Sequence, residues 1–333
     1  MQNYKVSLKK IIVPGIPLSV LLLSVCFILW ISAYLSGHNA TLQLQSSSIV
    51  TGLLSLVPPN TLLSNLFALI FTLLNAFLLT QLNNKYTIIR TRTFLPILIF
   101  FLLMSSWNET HITNGSHFAL TLFIISLFFI LNMFHNKNAS EEAFTGSLLI
   151  SISSLLINPL IFIIPVFWIG FMMMQSFSTK TLLASVIGTI TPWILYLSGL
   201  YFFNPNADLR QFFKLDIIFQ LNLHSYPLLN LVYIALTTII LIICLVGMFS
   251  IYSRDAIHTR NKLNFILLLL SSFSILSFIY RNQFTLFLPF IAFLLTLIVS
   301  HPFSLKQNNF YSIVFIVFCV INIAFVISKY III

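Results

Sequence analysis

Residues 144–176 read FTGSLLISISSLLINPLIFIIPVFWIGFMMMQS, a run of 33 residues without a charged side chain. About 20 apolar residues span the hydrocarbon core of a bilayer, so this run is too long for one membrane helix. Proline lacks a backbone donor and disfavours helix in the residue before it, which makes Asn158-Pro159 a break. We therefore predict two short membrane helices, 144–158 and 160–176, that form a tight hairpin or a re-entrant pair.

The rest of the chain is equally apolar. Of its 333 residues, 59% are hydrophobic and 7% are charged, whereas a soluble protein has about 25% charged residues. Such a surface suits a bilayer, where apolar side chains face lipid. We predict a single integral membrane domain over residues 1–333, an all-α bundle of about 10–11 transmembrane helices. The other helices are predicted at 11–35, 60–82, 93–107, 117–135, 181–203, 227–252, 263–280, 283–300 and 309–329.

The basic residues predict the orientation of the bundle. The chain has 16 Lys and Arg against 6 Asp and Glu, a net charge of +10, and basic residues favour cytoplasmic loops. With eleven helices and a cytoplasmic N-terminus, twelve basic residues lie inside and four outside. A single span over 144–176 gives eleven against five. The cluster Arg254, Arg260 and Lys262 favours the first arrangement, because it then lies inside.

The composition also indicates the source and excludes one class of partner. Abundant Ile, Phe, Asn and Lys are typical of an AT-rich bacterial genome, so we expect a multi-pass protein of the bacterial inner membrane. The sequence has no basic stripe with interleaved aromatic residues, so we do not expect nucleic acid as a partner. Cys26, Cys244 and Cys319 are isolated within apolar runs, and no Cys/His ligand spacing occurs. We therefore expect no metal and no cofactor.

Two segments on the predicted outer side are more than connectors. Residues 36–59 carry no charge and contain an apolar stretch at 49–57 before Pro58-Pro59, which predicts a short helix at the interface. Residues 206–226 alternate apolar and charged residues at near-helical spacing, which is typical of an amphipathic helix in the headgroup layer. The alternative for 206–226 is an ordinary ordered loop.

The few charges on the outer side are the candidate functional residues, since charge in or beside a membrane is costly. Glu109, close to His111 and His117, and Asp208 on the amphipathic segment are the candidate catalytic carboxylates. Arg281, which lies between two apolar runs, is a candidate contact for a lipid phosphate or pyrophosphate. His224 and Arg210 face the same side and join this proposed substrate-binding set. The alternatives are a solvated loop around Glu109 and an arginine that extends to the lipid headgroups.

Three stretches carry a resemblance to a family. They are Arg90-Thr-Arg92-Thr-Phe-Leu-Pro96, the segment that begins Phe144-Thr-Gly146-Ser, and Ile187-Gly188-Thr-Ile-Thr-Pro192. Together they resemble an uncharacterised family of bacterial polytopic inner-membrane proteins, which implies the fold but no activity.

A second resemblance points to chemistry. The pattern from Gly146 through Asn158-Pro159 and Pro165 to Trp168-Ile-Gly170 resembles the middle of multi-spanning glycosyltransferases of the C type. That resemblance implies a substrate linked to polyprenyl phosphate on the outer face and a catalytic carboxylate in the first outer loop. Residues 36–59 contain no Asp or Glu, and the first acid of the chain is Glu109.

Three functional hypotheses follow. The first is a protein of cell-envelope lipid or glycan metabolism on a glycosyltransferase-C-like scaffold, which either transfers a sugar or has no catalysis of its own. The second is a transporter or lipid flippase, since Asn158-Pro159 and Thr191-Pro192 are typical of broken helices. The third is a non-catalytic subunit of a membrane assembly. The expected partners are membrane lipid, a polyprenyl-phosphate-linked substrate and other membrane proteins.

Overall fold

A computed structural model describes residues 24, 27–28, 30–31, 62–90, 93–203, 228–306 and 308–331. Within these residues the chain forms ten α-helices and no strand, which confirms the predicted all-α bundle. In chain order they are α1 (Leu62–Tyr86), α2 (Leu95–Ser105), α3 (Gly115–Asn132), α4 (Ser140–Leu156), α5 (Ile164–Met173), α6 (Thr179–Phe203), α7 (Leu228–Ile251), α8 (Ile257–Ile279), α9 (Phe284–Leu305) and α10 (Asn309–Ile331). The predicted interfacial segments 36–59 and 206–226 lie outside the described residues.

Seven of these helices are long and apolar enough to cross a membrane, namely α1, α3, α6, α7, α8, α9 and α10. The apolar segments Leu95–Ser105 and Asn158–Met173 are shorter. Large apolar side chains are exposed on the outside of the bundle, as with Ile194 on α6 and Val246 on α7. A protein with so much exposed apolar surface would aggregate in water, whereas lipid would cover that surface. The chain is therefore a multi-pass membrane protein.

The run 144–176 is divided where the sequence predicted. Helix α4 ends at Leu156, a 3-10 segment covers Asn158–Ile163, and α5 begins at Ile164. Helix α4 starts at Ser140, four residues before the predicted boundary. Its first turn contains Glu141 and Glu142, where negative charge is favourable because the N-terminal end of a helix is partly positive.

The two ends of the bundle differ in charge. Among the described residues, eight of the ten Lys and Arg lie at one end, here called the basic end: Lys85, Arg90, Lys137, Lys180, Arg254, Arg260, Lys262 and Lys306. Among the described residues, the opposite end consists of the connections at 106–114, 157–163 and 280–283 and the last turn of α10. Of the described basic residues, it holds Arg281 and Lys329. The asymmetry agrees with the loop assignment made from the sequence.

Small residues let α4 and α6 approach each other closely. A Cβ atom added to Gly188 would lie 2.5 Å from the carbonyl oxygen of Phe144. Ser151 donates to the carbonyl of Thr189 at 2.6 Å, and the indole of Trp193 donates to Ser154 Oγ at 3.0 Å. Close backbone approach and hydroxyl hydrogen bonds are the usual means of packing helices in lipid.

We predict that Gly188→Ala destabilises the bundle by about 1–3 kcal/mol, because overpacking against a backbone atom cannot be relieved by a rotamer change. Gly199→Ala is the matched control on the same helix, since a Cβ there meets no atom within 4 Å. Alanine also favours helix over glycine by about 1 kcal/mol, so Gly199→Ala should be neutral or stabilising. The midpoint of thermal unfolding in detergent measures both. Equal shifts in the two variants would contradict the close approach.

Candidate functional site at the opposite end

Trp107 organises the opposite end of the bundle. It follows α2 and contacts three aromatic rings edge-on, with centroid distances of 5.7 Å to Tyr233, 5.6 Å to Phe284 and 5.5 Å to Phe325. These rings come from α7, α9 and α10. Edge-to-face contacts of this kind add to the packing energy of each ring. Trp107 therefore fixes the end of α2 among three long helices.

A buried amide ties the same helices together. Asn322 on α10 is 1% exposed, and its Oδ1 accepts hydrogen bonds from Tyr233 at 2.7 Å and from Ser106 at 2.9 Å. Its Nδ2 donates to the carbonyl of Phe318 at 2.7 Å. An amide within an apolar bundle is costly unless it is hydrogen-bonded. Asn322 makes these contacts and thereby holds Tyr233 in a fixed position.

A cavity with a volume of about 260 Å³ opens beside this cluster. Helices α7 and α8 both pack against α9, and the cavity lies between them. Its walls are mainly apolar, and they include Leu103, Trp107, Tyr233, Thr237, Leu241, Leu270, Ser274, Ser277, Phe284 and Leu295. The hydroxyl groups of Thr237, Ser274 and Ser277 donate to carbonyls of their own helices. Because these hydroxyls are already paired, the cavity suits an apolar ligand.

Two of the sequence-predicted residues are close along the chain to residues of the cavity wall. Glu109 is half-buried in the 3-10 segment Asn108–His111, beside the wall residue Thr110. One carboxylate oxygen, Oε2, is buried and makes no hydrogen bond within the described part of the chain. Arg281 begins the 3-10 segment Arg281–Gln283, between the wall residues Ser277 and Phe284. Asp208, Arg210 and His224 lie outside the described residues.

The loop around Glu109 is not solvated, which corrects one of the sequence-based alternatives. His111 is 3% exposed and His117 is fully buried. The ring of His117 lies between Asn114 Oδ1 and the carbonyl of Thr110, each at 3.0 Å. The ring of His111 packs 4.2 Å from that of Trp30. The Asn114 side chain caps α3 through Ser116, so the loop folds back against the bundle instead of entering water.

The electrostatics of this loop leave His111 neutral. Burial is the main cause that lowers the pKa of His111 to about 3, and the positive charge of Lys329 adds to it, while the Ser105 carbonyl acts in the other direction. Neither ring nitrogen of His111 has a hydrogen bond in good geometry among the described residues. Those residues also contain no group of three or more side chains suited to hold a metal ion.

The basic end contains an ionic cluster that the sequence did not predict. Asp255 lies in the connection between α7 and α8, and its side chain is fully buried. Its Oδ1 is 2.5 Å from Nη2 of Arg90, and its Oδ2 is 3.6 Å from Nε2 of the buried His301. Arg90 also donates to the carbonyl of Arg254. The cluster joins the α1–α2 connection, the α7–α8 connection and the end of α9.

Sequence reasoning missed several of these residues because their partners are distant along the chain. His301 lies 46 residues from Asp255, and Asn322 lies 89 residues from Tyr233. One signal was available for Asn322, a lone amide within an apolar run, since such residues are rare unless they are paired.

Comparison with known proteins identifies the family of the chain. A family model described as a family of unknown function matches residues 39–333. No curated protein and no solved structure matches the chain.

We predict that Asp255→Asn destabilises the protein by about 1–3 kcal/mol. This cost is smaller than that of breaking a fully buried ion pair, because the Arg90 side chain is 37% exposed and water can solvate its charge. Glu141→Gln removes an exposed acid at the same end and is the control, with an expected cost of about 0.5 kcal/mol. Chemical or thermal unfolding in detergent measures the difference. A loss no larger than that of the control would mean that the ionic cluster is not stabilising.

We predict that His111 makes the protein sensitive to acid. Its ordinary pKa is about 6.5, and the folded value is about 3. Below pH 6.5 the unfolded chain binds a proton that the folded chain does not, so stability falls as the pH drops toward 3. At pH 4.5 the loss in the free energy of unfolding, relative to neutral pH, is about 2–3 kcal/mol, since each pKa unit corresponds to about 1.4 kcal/mol.

The variant His111→Phe should therefore lose less stability than the wild type between pH 7.5 and pH 4.5. Phenylalanine keeps a ring against Trp30 but cannot be protonated. His135→Asn at the basic end is the control, because His135 is exposed and asparagine tolerates its positive φ of 61°. Thermal midpoints at the two pH values give the comparison. The same pH dependence in wild type and His111→Phe would exclude His111 as the cause.

Proposed function

The chain belongs to DUF6427, a family of unknown function, and we propose that it binds a lipid-linked substrate of cell-envelope lipid or glycan metabolism. The observation that carries this proposal is the cavity of about 260 Å³ between α7 and α8. Its interior is apolar, and in this proposal its mouth carries Glu109 and Arg281, which flank the wall residues Thr110 and Phe284 along the chain. A lipid with a polar head group has the same division between an apolar and a charged part.

The dimensions of the cavity fit one hydrocarbon chain. An apolar cavity of roughly 150 Å³ stays dry and binds benzene, so this cavity has room for about ten carbon atoms. Its wall on α7 runs from Tyr233 to Leu241. At 1.5 Å per residue that is about 12 Å, or roughly half the hydrocarbon core. An isoprenoid or acyl chain would enter from the lipid and run along α9.

The head group would lie at the opposite end. In this proposal Arg281 contacts a phosphate, because a guanidinium forms strong charge-assisted hydrogen bonds with phosphate oxygens. Arg210 and His224 would complete the phosphate site. Glu109 or Asp208 would act as the base if the protein transfers a sugar on a glycosyltransferase-C-like scaffold. Without catalysis, the same residues would bind and present the substrate.

We propose that the basic end is cytoplasmic, since basic residues favour the cytoplasmic side. The N-terminus would then be cytoplasmic and the mouth of the cavity on the outer face of a bacterial inner membrane. The proposal treats residues 1–333 as one membrane domain. The contiguous buried core, which extends from Trp30 to Phe318, supports this.

A second candidate function is a transporter or flippase for the same lipid. Pro192 lies inside α6, and Pro289 and Pro302 lie inside α9, which borders the cavity. Both helices are continuous through these prolines, so the break predicted at Thr191-Pro192 does not occur. The support for this function is the 3-10 segment Asn158–Ile163 between α4 and α5, because discontinuous helices are typical of transporters. Movement of a labelled lipid between leaflets of proteoliposomes would favour this function. Failure to bind lipid, together with loss of the protein when a membrane partner is removed, would favour a non-catalytic subunit.

We predict that Thr237→Trp lowers the affinity for polyprenyl phosphate at least tenfold, which corresponds to about 1.4 kcal/mol. The indole would occupy the space of the lipid chain. Ile239→Trp is the matched control on the same helix, because Ile239 is 53% exposed on the lipid-facing side. Photo-crosslinking of a polyprenyl phosphate probe to protein in nanodiscs measures both. If the wild type does not bind the probe, or if both variants bind equally, the proposed function is wrong.

A further inference from the structure

We propose that a second pocket, between α1 and α2, binds one acyl chain of a diacyl lipid, and that Asn83 and Asn84 donate hydrogen bonds to its ester carbonyls. This pocket has a volume of about 480 Å³, against about 260 Å³ for the cavity beside Trp107. It lies at the basic end, and none of its described wall residues belongs to α7, α8 or α9. The inference is therefore independent of the proposed function.

Most of the pocket wall is apolar. Its apolar residues come from α1, from α2 with the residue before it, and from the segment before α1, and they are Leu73, Ala76, Phe77, Phe94, Ile97, Phe101 and Phe27. Phe27 packs against Phe101, with ring centroids 6.1 Å apart. Phe77 and Phe94 are each 59% exposed on the outside of the bundle. The pocket therefore opens toward lipid.

The dimensions of the pocket match one fatty-acyl chain. An apolar cavity of roughly 150 Å³ binds benzene, so a pocket of about 480 Å³ has room for about 19 carbon atoms. Along α1 the wall runs from Leu73 to Asn84. At 1.5 Å per residue that is about 16 Å, and the hydrocarbon core of one leaflet is about 15 Å thick. An acyl chain of one leaflet therefore fits the pocket along its whole length.

The polar side chains of the wall lie together at the basic end. They belong to the last two turns of α1 and to the residues just before α2, and they are Thr80, Asn83, Asn84 and Thr93. The wall nearer the middle of the membrane is apolar, and no charged side chain occurs among its described residues. The glycerol esters of a lipid are polar and uncharged, and they lie at the same level, between the acyl chains and the head group.

Asn83 provides hydrogen-bond donors that face the pocket. It is 4% exposed, and its Oδ1 accepts the backbone N–H of Ile89 at 2.8 Å, which orients the amide. Its Nδ2 has no hydrogen-bond partner in the described part of the chain, yet protein does not enclose it. A buried amide without a partner is costly, so a ligand carbonyl would be stabilised there. Asn84 is exposed beside it, and its side chain makes no hydrogen bond to a described residue either.

Ordinary bulk lipid is the competing explanation, because lipid touches every exposed apolar surface of the bundle. The two explanations differ in two measurable respects. A built site binds one lipid per chain, whereas bulk lipid does not saturate. Two amide donors favour a lipid with ester carbonyls over one with ether linkages, whereas bulk lipid is bound through its chains alone.

The experiment titrates the full chain, delipidated in detergent, with dipalmitoyl phosphatidylcholine and with its dihexadecyl ether analogue. These two lipids have the same head group and chain length, but the ether lipid has no carbonyl. Native mass spectrometry counts the bound lipids. We expect one diacyl lipid per chain, bound about tenfold more tightly than the ether lipid, because two neutral hydrogen bonds are lost with the carbonyls.

Leu73→Trp and Leu74→Trp form a matched pair. Both leucines are 40% exposed and adjacent on α1, but of the two Leu73 lines the pocket. We expect Leu73→Trp to lower the affinity for both lipids at least tenfold, because the indole occupies the space of the acyl chain. Leu74→Trp should change it less than about twofold. Asn84→Leu removes one donor and should lower the affinity for the diacyl lipid alone, about fivefold.

Each contrary result overturns a stated part of the inference. Equal losses in Leu73→Trp and Leu74→Trp, or lipid binding that does not saturate at one per chain, would mean bulk lipid. Equal affinities of the wild type for the two lipids would overturn ester recognition, and an unchanged preference in Asn84→Leu would overturn the role of that side chain. Thr237→Trp fills the other cavity and should leave diacyl-lipid binding intact, so a loss there would show that the two pockets are not separate sites.

Discussion

Lipid is as apolar as the helix surfaces that it meets, so this chain cannot rely on the hydrophobic effect to hold its helices together. What remains is close packing and a small number of hydrogen bonds. The contact between α4 and α6 depends on Gly188, whose missing side chain admits the carbonyl of Phe144. The indole of Trp193 and the hydroxyl of Ser151 then reach across. The short helices of the middle region are positioned by this contact, because α5 and the 3-10 segment before it connect α4 to α6.

The same constraint explains where polar groups are found. Lipid offers no hydrogen bonds, so a buried polar side chain must find a partner within the protein. Asn322 meets this requirement by joining α2, α7 and α10, and Asp255 does so by joining two connections and the end of α9 at the basic end. Both groups are expensive to bury, but each fixes helices that are distant in sequence. Polar contacts at the two ends of the bundle therefore add to the α4–α6 contact and to the apolar packing between the ends.

The sequence predicted what depends on composition and local pattern. The apolar runs, the break at Asn158-Pro159 and the excess of basic residues on one side follow from local rules, and the structure has them. Glu109 and Arg281 were singled out as the rare charges of one side, and both lie at the opposite end, close along the chain to residues of the cavity wall. The cavity itself was not predictable, because it depends on how α7 and α8 pack against α9. The contact between Lys329 and Trp107 was not predictable either, since it joins residues more than 200 positions apart.

The position of the cavity follows from the two ends of the bundle. Helices α7 and α8 are joined by a short connection at the basic end, where Asp255 binds Arg90 and faces His301. That end is therefore held together by a turn and an ionic cluster. At the opposite end the two helices have no such connection to each other. Tyr233 instead belongs to the network around Asn322, and Ser277 leads into the turn at Arg281. The gap between α7 and α8 opens toward the end where they are not joined, and Trp107 and Tyr233 form part of its wall there.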